Sequence, residues 1–253
     1  MAFVARIGLR AKYIGKIGAD DLGLFSLESL KAENIDISSV VIQPGARNQY
    51  AFIIIDQNSG ERTILWDRDQ KLDFQEGELR KEAVCSGRIL HLDGHDRSAL
   101  LAAVWAREEG IPVVMDLDKI VPRCDELIAN ADFVITNAAF PSEFSGISDP
   151  EKALLEMRRC CRGLLAATLG ARGAIVVLGD ECMQFPAFKV RTVDTTGAGD
   201  VFHGGFIYGL LQNWTLERTM TFANAAAALS CTRLGARAGI PSFQEILQLI
   251  DSR

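Results

Sequence analysis

The segment Asp194-Thr195-Thr196-Gly197-Ala198-Gly199-Asp200 gathers in a few residues the groups that phosphoryl transfer needs. It follows an extended run and opens a helix. In a doubly wound sheet such a turn sits at the carboxyl end of a strand, where ligands bind. Gly197 and Gly199 lack a Cβ, so an anion can approach the backbone. The N–H groups at a helix head have no intrahelical acceptor and point at the incoming charge. Asp200, in the first turn, stands beside that anion site and can take the proton of an attacking hydroxyl. On the glycines alone, an ordinary turn with Asp200 as a first-turn acid explains the segment equally well. Two other phosphate cradles are excluded. Phe202 occupies the position where a G-x-G-x-x-G dinucleotide fingerprint needs its third glycine, and no G-x-x-x-x-G-K-[S/T] occurs anywhere in the chain.

The elements that must position this turn follow from periodicity. Phe3, Val4, Ile7 and Leu9 read as the end of a helix and the turn after it, and Lys12 to Ile17 as a strand. Leu24, Leu27 and Leu30 recur at helical spacing between Leu22 and Ala32. Short β-type runs at Val40–Ile42, Gln49–Ile55 and Arg62–Trp66, with a turn signal at Asp56-Gln57-Asn58-Ser59-Gly60, predict a small β lid over residues 40–66.

From Arg88 onward strands alternate with helices. Strands are expected at Ile89–Leu92, Pro112–Met115, Phe133–Ile135, Leu164–Thr168 and Ala174–Leu178, and a further extended stretch at Phe185–Val193. Helices are expected at Ser98–Glu109, Asp125–Asn130, from Pro150 with Asp149 as its cap, at Asp200–Leu211, at Leu216–Arg233 and from Ser242, where Ser242 and Glu245 form a capping box. Leu100, Leu101, Val104 and Trp105 mark the apolar face of the helix after Ser98. Such alternation predicts an α/β fold, a three-layer α/β/α doubly wound and mostly parallel sheet. Residues 1–253 read as one such domain carrying the lid.

Composition fits that picture. Of 253 residues, 48% are apolar and 24% charged, so a packed core is expected. The net charge of -6 argues against a nucleic-acid partner, and no apolar run reaches the roughly 20 residues that span a bilayer. Cys85, Cys124, Cys160, Cys161, Cys182 and Cys231 include no C-x-x-C pair, so they read as buried thiols of a reducing, cytoplasmic compartment.

The full run from Asp194 through Asp200 to Phe202, Gly204 and Gly205 resembles the C-terminal signature of ribokinase-like (PfkB) carbohydrate kinases. The resemblance implies ATP-dependent phosphorylation of a primary hydroxyl of a furanose or ketohexose-like sugar, with Asp200 as base and Gly197, Ala198 and Gly199 as anion hole. Gly15, Gly18, Asp20, Asp21 and Gly23 match the family's early G-x-x-G-x-D-x-x-G pattern. Thr168, Gly170 and Gly173 resemble its T-x-G-x-x-G nucleotide loop, and Asn224 with Gly235 its adenine side. Asp194 and Thr196 resemble the carbonyl donors to K⁺ of potassium-activated relatives. Asp93 and His95, after a strand end, are the candidate sugar contacts. ATP, Mg²⁺ and K⁺ are the implied cofactors, and pairing through the lid implies a homodimer.

The stretch Phe188 to Pro241 is similar to the sulfofructose kinases, a branch of the family. Two departures stand out. Phe140 replaces the Glu of the family's N-x-x-E motif after Asn137, which leaves the Mg²⁺ ligands unassigned. Met1–Gly8 resembles the end of the family's first helix, so its first strand, Gly-Gly pair and Asn are expected to be missing. Loss of that segment makes a nucleotide-binding protein without sugar kinase activity the alternative reading.

Overall fold

The structure, a computed structural model, describes residues 1–56, 62–94 and 96–252. Its chain divides into two compact units. The first comprises Met1–Ala83, Val190–Gly204 and Ala226–Arg253, the second Val84–Lys189 and Gly205–Ala225.

The first unit begins with α1 (Ala2–Arg6), β1 (Lys12–Gly18), α2 (Asp21–Ala32) and β2 (Asp36–Gln43). Strands β1 and β2 pair in parallel, with Gly15 opposite Val40 and Ile17 opposite Ile42. The expected short run at 40–42 is thus the end of a longer strand that belongs with β1. Its helical crossover α2 supplies the length a parallel connection requires. Asp20 caps α2 by accepting from Gly23 N–H at 2.9 Å. A Cβ at Gly23 would lie 1.9 Å from Gly18 O, so only glycine lets this helix sit on the strand end.

Strands β3 (Tyr50–Ile55) and β4 (Arg62–Asp67) then form an antiparallel hairpin with Phe52 opposite Leu65 and Ile53 opposite Ile64. Successive side chains alternate between its faces, and both faces carry exposed apolar groups: Phe52 at 68%, Leu65 and Ile54 on one, Ile53, Ile64 and Trp66 on the other.

The chain passes through α3 (Lys81–Val84) into β5 (Leu90–Leu92), α4 (Arg97–Glu108), β6 (Val113–Leu117), α5 (Cys124–Ala129), β7 (Phe133–Thr136), α6 (Phe140–Ser145), α7 (Pro150–Met157), β8 (Leu164–Thr168), β9 (Ala174–Leu178) and β10 (Glu181–Phe185). The strand order is β10-β9-β8-β7-β6-β5. Strands β5 to β8 run parallel, joined by helical crossovers. Strands β9 and β10 run antiparallel to their neighbours. Their connections, Leu169–Gly173 and Gly179–Asp180, are too short for a crossover, which takes a dozen residues or more. The ladder stops at Phe185 because Pro186 has no N–H to donate, so the extended stretch expected through Val193 is a strand only at its beginning.

Both faces of this sheet are covered. Val113, Met115, Leu117, Val134, Leu165, Ala167, Ile175 and Val177 pack with α4 to α7. The alternate residues Val114, Ile135, Ala166 and Val176 are equally buried. On their side the Phe133 ring meets Phe206 at 5.5 Å between centroids. Each fully buried aliphatic chain contributes about 1.5–3 kcal/mol. The face of α4 that enters the core is Ala99, Leu100, Ala103 and Ala106, whereas Leu101 is 41% exposed. Leu100 and Val104, which the periodicity favoured, do pack against the core, but alanines rather than Leu101 complete that face.

Helices α8 (Ala198–Leu211) and α9 (Leu216–Ser230) contribute residues to both units, and α10 (Phe243–Asp251) belongs to the first. The capping box of Ser242 and Glu245 is present at the start of α10. Among the described residues no helix is long and apolar enough to cross a membrane.

Candidate active site

In the first unit the signature turn is held by a buried carboxylate. Asp194 is 1% exposed. Its Oδ1 accepts from Thr196 N–H and its Oδ2 from Gly235 N–H, each at 2.8 Å. Such charge-assisted bonds are stronger than neutral ones, so one side chain fixes both the turn and the loop after α9. Val193 and Asp194 also donate their N–H groups to Cys231 O, at 2.8 and 3.2 Å. Gly197 has φ +79°, and a Cβ there would also come within 2.9 Å of the Ala236 Cβ. Both constraints require glycine.

The turn then delivers the head of α8. Ala198 N–H bonds Thr195 O and Val201 N–H bonds Gly197 O. Gly199 is exposed, and a Cβ on it would meet no protein atom within 4 Å. Asp200 is exposed in the first turn. A helix head with open space over a glycine and a carboxylate alongside can receive a phosphoryl group and accept a proton. Thr196 Oγ1 is buried without a hydrogen-bond partner. His203, further along α8, is buried.

The remaining signature glycines serve packing. A Cβ on Gly204 would lie 2.6 Å from the Phe3 ring, so this position seats α1. In the second unit a Cβ on Gly205 would lie 2.8 Å from Ala223 Cα, so it sets the approach of α8 to α9. Neither partner is signalled locally in the sequence.

The expected nucleotide loop lies in the second unit at the end of β8. Thr168 Oγ1 donates to Thr136 O at 3.2 Å, across to the neighbouring strand. Gly170 has φ +59° and open space where a Cβ would be. Gly173 has φ +92°, and a Cβ would lie 2.0 Å from Phe185 O, so its glycine lets the β8–β9 turn sit on the segment after β10. Asn224, only 6% exposed, donates through Nδ2 to Phe185 O at 3.1 Å and binds the same segment. Gly173 and Asn224 therefore converge on Phe185–Ala187, a contact that sequence reasoning missed. Gly235, assigned with them in sequence, is instead bound to Asp194 in the first unit.

Asp93 is exposed just beyond β5, and His95 lies outside the described residues. Asn137 closes the turn before α6, its Oδ1 accepting from Ala139 and Phe140 N–H at 2.9 Å and its Nδ2 donating to Asp118 O at 2.8 Å. Its side chain is thus engaged by the protein itself. Among the described residues no group of three or more His, Cys, Asp or Glu side chains is arranged to hold a metal ion.

These features have counterparts in known proteins. The profile of the "pfkB family carbohydrate kinase" matches residues 1–242. Fructokinase-1 of Oryza sativa subsp. japonica is 30% identical over 98% of this chain and 85% of its own length. Ribokinase of Haemophilus influenzae is 28% identical over 98% of this chain and 83% of its own. A crystal structure from Agrobacterium tumefaciens superposes with a TM-score of 0.91 at 28% identity, covering 99% of this chain and 83% of that one. With its signature turn, its doubly covered sheet and a family match over nearly its whole length, the chain belongs to the pfkB family of carbohydrate kinases.

Proposed function

We propose that this sugar kinase transfers the γ-phosphoryl group of ATP, brought as its Mg²⁺ complex, to a primary hydroxyl of a furanose or ketohexose-like sugar. The observation that carries the reading is the head of α8, where Asp194 fixes the turn, Gly199 leaves open space and Asp200 stands exposed beside it. Asp200 takes the hydroxyl proton as the sugar oxygen attacks the γ-phosphorus. The new P–O bond forms while the bond to the β,γ-bridging oxygen breaks, and ADP leaves. The backbone at Gly197, Ala198 and Gly199 stabilises the charge on the moving phosphoryl oxygens.

Thr168, Gly170 and Gly173 serve the nucleotide, Gly170 by the open space over its backbone. Asn224 and Gly173 act by holding Phe185–Ala187 in place, and Gly235 by its bond to Asp194. Asp93, exposed just beyond β5, is the candidate sugar contact. The carbonyls of Asp194 and Thr196 would hold a K⁺ ion, and the buried Thr196 hydroxyl, which lacks a hydrogen-bond partner, is consistent with a polar site there. Bound there, the ion would add positive charge behind the turn. Hairpin β3–β4 serves as the lid over the sugar, and its apolar faces, more than an isolated hairpin can keep in water, pair with a second copy of the chain. Six free thiols suit a cytosolic location.

Replacement of Asp200 tests the reading. Asp200→Asn keeps size and polarity but cannot take the proton, so kcat should fall by about 10²–10⁴. The backbone donors survive, so affinity for a non-hydrolysable ATP analogue should stay within about threefold, under 1 kcal/mol. D-fructose and D-ribose are the first acceptors to assay. An unchanged kcat would make Asp200 a first-turn acid and no more. Nucleotide binding with no turnover on any sugar would make the chain a nucleotide-binding protein without kinase activity.

A further inference from the structure

Both arms of the β3–β4 hairpin are fastened to the carboxyl end of β1, by different chemistry. The incoming arm is held by hydrogen bonds that involve backbone N–H groups. Gly18 N–H donates to Asn48 Oδ1 at 3.1 Å, and Asn48 N–H donates to Asp20 Oδ2 at 3.0 Å. A Cβ on Gly18 would lie 2.5 Å from Asn48 N, so this close approach needs glycine. Gly18 and Asp20 of the early motif are thereby explained as the hairpin's root.

The outgoing arm is held by an ion pair. Lys16, on β1, has a side chain only 1% exposed, and its Nζ lies 2.7 Å from Glu78 Oε2. The same oxygen accepts from Gln75 N–H at 2.7 Å, which closes the turn over 75–78. Between that turn and the hairpin, Lys71 Nζ donates to Gly45 O at 2.8 Å and Asp69 Oδ2 accepts from Arg47 N–H at 3.2 Å, tying the two arms together.

A buried ammonium is a poor source of stability. Taking it out of water costs several kcal/mol, and well-packed apolar groups often replace buried ion pairs at no loss. What the pair does supply is a fixed position for the arm, because the charge has one favourable place to go. We propose that Lys16 and Glu78 are a positioning pair that sets the outgoing arm of the hairpin, so that closure over the acceptor sugar depends on them. The proposal rests on the lid reading above.

The test compares the full chain with Lys16→Met/Glu78→Gln, which removes both charges and leaves no unpaired ion. Amide hydrogen exchange in 50–55 and 62–67 should quicken by about tenfold, as local opening becomes easier, while strands β6 to β8 keep their rates. With D-fructose or D-ribose, the acceptor KM should rise about tenfold with KM for ATP unmoved, the pattern of a lost positioning contact. Unchanged exchange in the hairpin would overturn the proposal whatever the activity. Faster exchange with an unmoved acceptor KM would overturn the lid reading, and with it the pair's part in closure. If the double variant unfolds, Glu78→Gln alone, at the more exposed partner, is read in the same two ways.

Discussion

Gly199→Ala separates a functional reading of the signature turn from a structural one, because the two predict changes of opposite sign. The added methyl meets no protein atom within 4 Å, and Gly199 does not lie in the left-handed region. The fold therefore has no reason to resist it. Alanine in a helix is favoured over glycine by about 0.8–1.0 kcal/mol. Part of that gain comes from restricting the unfolded chain, typically about 0.4–1 kcal/mol. At a helix head the lower part of the range applies. For a chain of this size a gain of about 1 kcal/mol raises Tm by roughly 2–4 °C, so a small rise is expected. Activity should go the other way. Donors to a developing oxyanion act at about 2.7–3.1 Å, and loss of one costs about 10²–10³ in kcat. A methyl in the open space over the helix head keeps the phosphoryl oxygens from that distance. Scanning fluorimetry and a coupled assay for ADP release would read both quantities on one preparation. A stable Gly199→Ala protein whose kcat stays within about threefold of the parent, far short of that loss, would refute the cradle. Gly197→Ala is the control: a left-handed φ costs a non-glycine residue about 1–3 kcal/mol, and Ala236 is already in the way, so its Tm should fall.

Exchange of about 100 mM NaCl for KCl should raise Tm by mass action on the folded state; equal midpoints in the two salts would remove K⁺ from the site. Glu245 has its carboxyl lowered from 4.5 to about 2 by the Ser242 N–H and hydroxyl and by Arg233. Its contribution is therefore complete above 4.5 and lost as pH falls toward 2, so the Tm of Glu245→Gln should fall less than the parent's over that window. Identical slopes in the two proteins would show that the capping box does not carry the loss. Phe52→Asp, on the exposed hairpin face, should turn a dimer into a monomer by sedimentation equilibrium. A parent that is monomeric at about 100 μM, where even weak interfaces are populated, would count against pairing through the hairpin.

The sequence by itself determined whatever depends on local chemistry. Alternation of apolar runs marked most strands and helices from β5 to α10, but it missed α6 and placed the stretch after β9 beyond β10. Ser242 with Glu245 and Asp149 with Pro150 marked helix starts, because caps act within one turn. The residues from Asp194 to Asp200 suit an anion site by their types, but an ordinary turn explains those types equally well, and only the longer run to Gly205 resembles the pfkB signature. Tertiary structure decided which of those residues are held by distant partners and which stand open to solvent. Gly197, Gly173 and Gly204 look alike in sequence, yet each is fixed by a different distant partner, Ala236, Phe185 or Phe3. Gly199 differs from all three by having none. Asn224 reads as a polar helix residue until Phe185 O is found beside it. The run at 40–42 could join the hairpin or β1, since β propensity does not name a partner strand. Lys16, in a strand whose neighbours are apolar, gives no sign of Glu78, 62 positions away. Spacing along the chain carries hydrogen bonds between near neighbours, but a close approach between distant segments exists only once the backbone has folded to make it.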